Sequence, residues 1–186
     1  MADFNQAYLI TMQNEGGYAN DPQDRGGETW KGIARNFWPQ WKGWVIVDTI
    51  KATNPPVLNK ALAAQTDLNN MVLQFYKSNY WDINKLDQIN SQQVANQLFD
   101  IAVNMGVGRA SKFLQQAISP QITVDGVIGP KTVAGANAME PKQLYDAINV
   151  LRTEKYNQII AANPSQAKFK NSWFSRIKPY DSSLPS

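Results

Sequence analysis

Residues 14–30 read NEGGYANDPQDRGGETW, and the fold class is predicted from this stretch together with the segments on either side of it. It follows a segment, 3–14, in which apolar residues recur every fourth position, as on one face of an amphipathic helix. The stretch itself is rich in Gly, Asp, Asn and Pro, which are the residues that favour turns. We therefore predict a helix over 3–14, followed by two or three short strands within 17–29.

Short polar residues and glycines bound this first helix. Asp3 is suited to accept hydrogen bonds from the first turn as an N-cap. Gly16 and Gly17 are predicted to supply the left-handed backbone that ends many helices. Glu15 would then lie at the C-terminal turn, where the negative end of the helix dipole raises the pKa of a carboxyl group.

The rest of the chain is predicted to be mainly helical. Pro130 suits the first position of a helix after the turn at 125–130, and Ser91 suits an N-cap. The apolar periodicity predicts helices over 29–37, 40–50, 57–79, 91–105, 109–118 and 141–162, with a last helix near 169–177. The fold class is therefore mainly α (α+β), helical with one small β-hairpin or sheet near residues 17–29.

The composition narrows the possible chemistry. The chain contains no His and no Cys, so a Ser-His-Asp triad, disulfides and thiolate metal sites are excluded. The net charge of +3 comes without a dense Lys/Arg block, so we predict no nucleic-acid partner. No apolar run approaches the roughly 20 residues of a membrane span, and no signal peptide is recognisable at the N-terminus.

Carboxylates are the candidates for proton transfer. A Glu at a helix end, partly buried against aromatic residues, keeps its proton near neutral pH and can act as a general acid. Asp24 lies nine residues after Glu15, and a hairpin would fold it back across a cleft as the second carboxylate of a glycosidase. A solvated helix end for Glu15, a turn-forming role for Asp24 and an N-cap role for Thr29 are equally typical of these positions.

Hard oxygen ligands are also concentrated in this stretch. Their spacing differs from that of an EF-hand loop, so we predict neither a metal nor another cofactor. The oxygen-bearing residues in question are Asn20, Asp21, Asp24 and Glu28.

Taken together, these residues resemble a known family. In their order they look like the signature of glycoside hydrolase family 108, the N-acetylmuramidases with a Glu-Gly-Gly-Tyr motif, which include phage endolysins. The pieces that carry the resemblance are Glu15-Gly16-Gly17-Tyr18, Asp21-Pro22, Asp24, Gly26-Gly27-Glu28-Thr29 and Gly32-Ile33.

The second half of the chain is similar to the predicted peptidoglycan region found at the C-terminus of that family. We therefore divide the chain into a catalytic lobe over 1–90 and a helical lobe over 91–186, which together form one compact domain. The matching pieces are Phe99 to Gly106, Leu114-Gln115, Asp125 to Thr132, Arg152 with Tyr156, and Trp173 with Arg176.

The resemblance implies a lysozyme-like fold and hydrolysis of the β-1,4 bond between N-acetylmuramic acid and N-acetylglucosamine. Glu15 would be the general acid. Asp24 and Thr29 are similar to the Asp and Thr that follow the catalytic Glu of phage-type lysozymes, although the step between them is one residue shorter. Whether the reaction retains or inverts the anomeric configuration is left open.

Other residues are expected to contact the substrate. Tyr18 and Trp30 are candidates for shaping the cleft. Asn104 is a candidate for binding acetamido groups, or equally a C-cap before Gly106. Asp100 is expected to form a structural ion pair or a cap.

The expected partner is bacterial peptidoglycan, bound by a monomer without stable membrane insertion. The enzyme would be made in the cytoplasm and reach the periplasm or cell wall through a holin or a specialised secretion route. Two alternatives stay open. One is a non-catalytic peptidoglycan-binding or secretion-associated protein on the same scaffold, and the other is a lytic transglycosylase.

Overall fold

A computed structural model describes residues 1–13, 16–21, 26–118, 120 and 122–184. The chain forms two compact units. We call Tyr8–Asn79 the N-terminal unit, and Met1–Ala7 together with Tyr80–Ser186 the C-terminal unit. The predicted division after residue 90 stays a prediction, whereas the predicted fold class, mainly α with one small sheet, is confirmed.

The sheet of the N-terminal unit has three antiparallel strands in the order β1-β2-β3. The strands are β1 (Tyr18–Asn20), β2 (Glu28–Trp30) and β3 (Ile33–Ala34). The helices that contribute to this unit are α1 (Phe4–Met12), whose first residues belong to the C-terminal unit, α2 (Gly43–Ala52), α3 (Leu58–Ala63) and α4 (Thr66–Tyr76).

The helix predicted over 29–37 is wrong, because β2 and β3 form a tight hairpin there. Trp30 pairs with Ile33 across a two-residue turn. Both turn residues, Lys31 and Gly32, have positive φ angles of 45° and 79°, as in the turns that match the twist of a hairpin. The pairing places apolar residues three positions apart, which is also the spacing of a helix face.

The single helix predicted over 57–79 is also wrong, because it is interrupted between α3 and α4. Gln65 has an extended backbone, with φ −83° and ψ 103°. The Asn69 side chain donates to the carbonyl of Ala63 over 2.8 Å, so this carbonyl at the end of α3 has a hydrogen-bond partner within the unit. No Gly or Pro marks this break in the sequence.

Gly17 fits a close approach rather than the predicted left-handed helix end. Its φ lies outside the left-handed region. The side chain of Asn59, on α3, accepts a hydrogen bond from the Tyr18 backbone N–H over 2.6 Å, and a Cβ at Gly17 would collide with the same Asn59 Oδ1. A residue with a side chain at this position would displace Asn59 and the start of β1.

The C-terminal unit is helical in the part that the structure describes. Two predicted caps are confirmed: Ser91 accepts from the Val94 N–H, and Pro130 occupies the first turn of its helix. The α-helices are α5 (Gln92–Met105), α6 (Val107–Ile118), α7 (Pro130–Ala138), α8 (Pro141–Ala162) and α9 (Lys170–Ser175). Shorter helical turns are 3₁₀ helices at Leu86–Gln88 and Pro164–Phe169. A π-helix at Lys77–Asp82 begins in the N-terminal unit and ends in the C-terminal unit.

Edge-to-face aromatic packing ties the start of the chain into this unit. The ring of Phe4 lies 5.7 Å from the centroids of both Trp81 and Phe99, within the range in which such pairs are stabilising. The backbone N–H of Asp3 also donates to the Gln92 side chain over 2.6 Å. Across the described ranges, no helix has both the length and the apolarity needed to cross a bilayer.

A buried glutamine explains the turn before α7. Gln115, 1% exposed, donates to Asp125 Oδ1 over 2.7 Å and to the Val127 carbonyl over 3.0 Å. The side-chain amide oxygen of Gln115 accepts a hydrogen bond from the Gly126 N–H over 2.8 Å. Gly126 has a φ of 85°, which a glycine adopts without strain. The Asp-Gly-Val-Ile-Gly-Pro piece is therefore held by one side chain of α6.

Replacing Gln115 by Ala is expected to lower the free energy of unfolding by about 1–3 kcal/mol, because the turn loses three hydrogen bonds from a buried side chain. Urea denaturation followed by circular dichroism would measure this change. Gln116→Ala, on the exposed side of the same helix, is the matched control and should change stability little. Equal effects of the two substitutions would contradict the role given to Gln115.

Candidate functional site

The two carboxylates predicted to do the chemistry, Glu15 and Asp24, lie outside the described residues. Thr29, the third predicted catalytic residue, lies on β2 in the N-terminal unit. The predicted substrate contacts are divided between the units, since Tyr18 and Trp30 belong to the N-terminal unit and Asn104 to the C-terminal unit. Each unit therefore contributes its own group of candidate residues.

Thr29 is the central residue of the sheet. It pairs with Ala19 on β1 and with Ala34 on β3, so its backbone is fixed from both sides. Because side chains alternate along a strand, Thr29 faces one side of the sheet while Glu28 and Trp30 face the other. Thr29 is half-buried. Its hydroxyl therefore lies on one face of the sheet, attached to a backbone that is fixed by pairing on both sides.

Trp30 lies in the core of the N-terminal unit, with 1% of its surface exposed. Its indole Nε1 has no hydrogen-bond partner among the described residues. The ammonium group of Lys31 lies 5.6 Å from the ring centroid. Burial makes Trp30 a support beneath the sheet, and its role in shaping a cleft stays a prediction.

Tyr18 is hydrogen-bonded to Glu28, an acidic residue that is not among the predicted site residues. Its hydroxyl donates to Glu28 Oε1 over 2.7 Å. The Lys51 ammonium, from α2, hydrogen-bonds the same carboxylate and lies 5.4 Å from the Tyr18 ring centroid. Tyr18 is therefore held in place at its polar end while part of its ring stays exposed.

The carboxylate of Glu28 anchors the sheet to α2. Its side chain is 10% exposed, and Arg35 Nε lies 2.8 Å from its second oxygen. Arg35 in turn forms a two-point ion pair with Asp48 of α2, with distances of 2.7 and 3.2 Å. Burial raises the pKa of Glu28, but the hydrogen bonds from Lys51 and Tyr18 and the charge of Arg35 together hold that pKa below its ordinary value.

The lowered pKa makes stability depend on pH. The ionised Glu28 stabilises the fold fully above 4.5, its ordinary pKa, and this contribution is lost as the pH falls through the lower pKa of the folded state. The free energy of unfolding of wild type should therefore fall more steeply from about pH 6 to about pH 3 than that of Glu28→Gln. Urea titrations at each pH would measure the difference, and parallel slopes would contradict the network.

Asn104, near the end of α5, belongs to a polar cluster with α8. Its Oδ1 accepts a hydrogen bond from the Tyr156 hydroxyl over 2.7 Å, and that hydroxyl also accepts from Arg152 Nε over 3.1 Å. The end of α5 is capped instead by the Gly106 N–H, which donates to the Ala102 carbonyl. The Asn104 side chain therefore keeps its amide N–H₂ without a partner among the described residues.

Asp100 lies one turn earlier on α5 and forms the expected ion pair. Its two oxygens accept from Arg152 over 2.6 Å and from Arg176 over 2.7 Å. Arg152 is 1% exposed, so its charge depends on this carboxylate for compensation. The ring of Trp173, on α9, stacks on Tyr156 with centroids 5.2 Å apart. These contacts fix α5, α8 and α9 around Asn104.

Comparison with known proteins gives matches for both halves of the chain. Residues 8–106 match the family model described as Glycosyl hydrolase 108, and residues 109–178 match the one described as Predicted Peptidoglycan domain. Among solved structures, the chain is similar to Brucella abortus SagA, with 25% sequence identity and a TM-score of 0.63. That match covers 97% of this chain and 98% of the other. The search of curated proteins found no match.

Proposed function

Because the chain belongs to the glycosyl hydrolase 108 family, we propose that this glycoside hydrolase is an N-acetylmuramidase. It would hydrolyse the β-1,4 bond between N-acetylmuramic acid and N-acetylglucosamine in peptidoglycan. The observation that carries the proposal is the family match over 8–106, the span that holds Glu15, Asp24 and Thr29. The second match, over 109–178, supports peptidoglycan as the polymer that the enzyme binds.

In this mechanism Glu15 donates its proton to the glycosidic oxygen as the bond to the muramic acid carbon breaks. Positive charge develops on the sugar ring in the transition state, and Asp24 stabilises it or activates the attacking species. Thr29, on the rigid central strand, positions the attacking water or the Asp24 carboxylate. Water completes the reaction and leaves a new reducing end.

The fixed groups around Thr29 support this division of roles. Glu28 is tied to Lys51 and Arg35, so it is committed to holding the sheet and is unsuited to a second role in proton transfer. Tyr18 keeps part of its ring exposed beside that anchor. Its contact with the sugar would therefore be made by a side chain that is already oriented.

Analysis of the products formed from purified peptidoglycan tests the proposal. Mass spectrometry should find muropeptides that end in reducing N-acetylmuramic acid. Products with 1,6-anhydro ends would identify a lytic transglycosylase instead. Retention of the protein on insoluble peptidoglycan without release of soluble fragments would favour a non-catalytic binding or secretion-associated protein.

We propose a monomer that is synthesised in the cytoplasm and reaches the wall through a holin or a specialised secretion route. Fractionation of producing cells, with and without a co-expressed holin, would test the route.

A further inference from the structure

A small pocket of about 200 Å³ lies beside Asn104 in the C-terminal unit. Its walls come from the end of α5, the start of α6, the middle of α8 and the ring of Trp173 on α9. Two of its lining residues, Arg109 and Lys155, are cationic and half-buried. Among the described residues that line the pocket, none is acidic.

The charges of this pocket are not neutralised within the part of the chain that is described. Neither Arg109 nor Lys155 forms an ion pair there, whereas Arg152 and Arg176, close by in the fold, are both paired with Asp100. The nearest acidic neighbour in sequence, Glu154, is exposed and does not line the pocket. Two half-buried cations without a counter-charge among the described residues favour an anionic ligand.

The neutral groups of the pocket also present donors. The acceptor oxygen of Asn104 is already occupied by the Tyr156 hydroxyl over 2.7 Å, which leaves the amide N–H₂ to donate. The guanidinium of Arg109 can bind a carboxylate through two parallel N–H groups. The ring of Trp173, which stacks on both Tyr156 and Phe169, adds an apolar wall to the pocket.

From this arrangement we infer that the pocket binds the carboxylate of a muramyl unit, with Arg109 and Lys155 as its charged contacts and Asn104 as a neutral donor. This inference rests on the proposed function, because it takes peptidoglycan as the polymer. A pocket of this volume is smaller than a whole-ligand site, so it takes one group of the substrate. The carboxylate is either the free lactyl group of N-acetylmuramic acid or one carried by its stem peptide.

Isothermal titration calorimetry with three ligands tests the inference. The ligands are N-acetylglucosaminyl-N-acetylmuramic acid, the same disaccharide with a stem dipeptide, and chitobiose, which has no carboxylate. The linkage within these ligands is not the bond that a muramidase cleaves, so binding is measured whether or not the proposed activity is correct. At least one muramyl ligand should bind more tightly than chitobiose, and the tighter of the two identifies the source of the carboxylate.

Arg109→Gln and Lys155→Gln should each weaken binding of that muramyl ligand about tenfold or more, because a hydrogen bond to a charged group is lost. Both should leave the affinity for chitobiose unchanged. Lys178→Gln, which removes the same charge at an exposed position outside the pocket, is the control and should have no effect. Thermal unfolding would verify that each variant is folded.

Two results would overturn the inference. One is equal affinity of wild type for chitobiose and for both muramyl ligands. The other is an unchanged preference for the carboxylate ligand in folded Arg109→Gln and Lys155→Gln proteins. The proposed activity would fail separately, by the absence of reducing muramic acid ends after digestion of peptidoglycan.

Discussion

Replacing Glu15 by Gln is expected to lower the kcat for peptidoglycan hydrolysis by about 10²- to 10⁴-fold, because an amide cannot donate the proton that the leaving oxygen requires. The substitution keeps the size and polarity of the side chain, so substrate binding should change much less than kcat. Release of soluble reducing ends from purified peptidoglycan measures the rate, and single-turnover conditions separate chemistry from product release.

The matched control for this variant is Glu154→Gln, which removes the same charge from an exposed position on α8. Its kcat should equal that of wild type. If Glu15→Gln lyses cell walls as fast as wild type, Glu15 is not the general acid. If it binds peptidoglycan normally but releases nothing, its role in the chemical step is supported.

The second large effect is expected on stability. Replacing Asp100 by Ala should lower the free energy of unfolding by about 3–5 kcal/mol, because the 1%-exposed Arg152 is left with an uncompensated buried charge. Arg176, the other partner of this carboxylate, would lose its ion pair as well. Urea denaturation monitored by tryptophan fluorescence and by circular dichroism would measure the loss.

Asp146→Ala provides the comparison within the same unit. Asp146 pairs with Lys142 one turn earlier on α8, and both side chains are about half exposed. Solvent screens such surface pairs, which contribute little to stability, so this control should be nearly neutral. Similar losses for Asp100→Ala and Asp146→Ala would show that the cluster around Arg152 stabilises the unit no more than a surface pair does.

Periodicity in the sequence was sufficient for the two longest helices, α5 and α8. In α5 and α8 an apolar stripe extends over several turns, and the predicted spans of 91–105 and 141–162 agree with the observed helices within one residue at each end. Capping residues also located the starts of two helices, since Ser91 caps α5 and Pro130 lies in the first turn of α7. Short-range patterns of this kind depend only on residues that are close in sequence.

Where the pattern was ambiguous, tertiary contacts decided the structure. The spacing of Trp30 and Ile33 fits one face of a helix, and it equally fits two paired strand residues across a two-residue turn. The buried Tyr76 hydroxyl donates to the Lys31 carbonyl in that turn over 2.7 Å. This contact joins residues 45 positions apart, so local periodicity contains no information about it.

The candidate site shows the same limit. Glu28 appeared in the sequence as one of several oxygen-bearing turn residues, and its partners Lys51 and Arg35 lie in segments whose charges look like ordinary surface charges. Ion pairs with Arg35, seven residues away, and with Lys51, 23 residues away, instead make it the anchor of the sheet. The family motif located the segment of Glu15 and Asp24, but the fixed groups beside Thr29 could be recognised only from the folded structure.

The discontinuous make-up of the C-terminal unit has a consequence for biosynthesis. A ribosome adds about 5–20 residues per second, and segments generally fold in the order in which they emerge. The first seven residues belong to this unit, yet Arg176, which pairs with Asp100, and Asp181, whose backbone exchanges two hydrogen bonds with Gln93, are synthesised almost last. A nascent chain thus holds an unfinished C-terminal unit throughout most of its translation. Chains that stop before Arg176 should be substrates for proteases instead of active hydrolases.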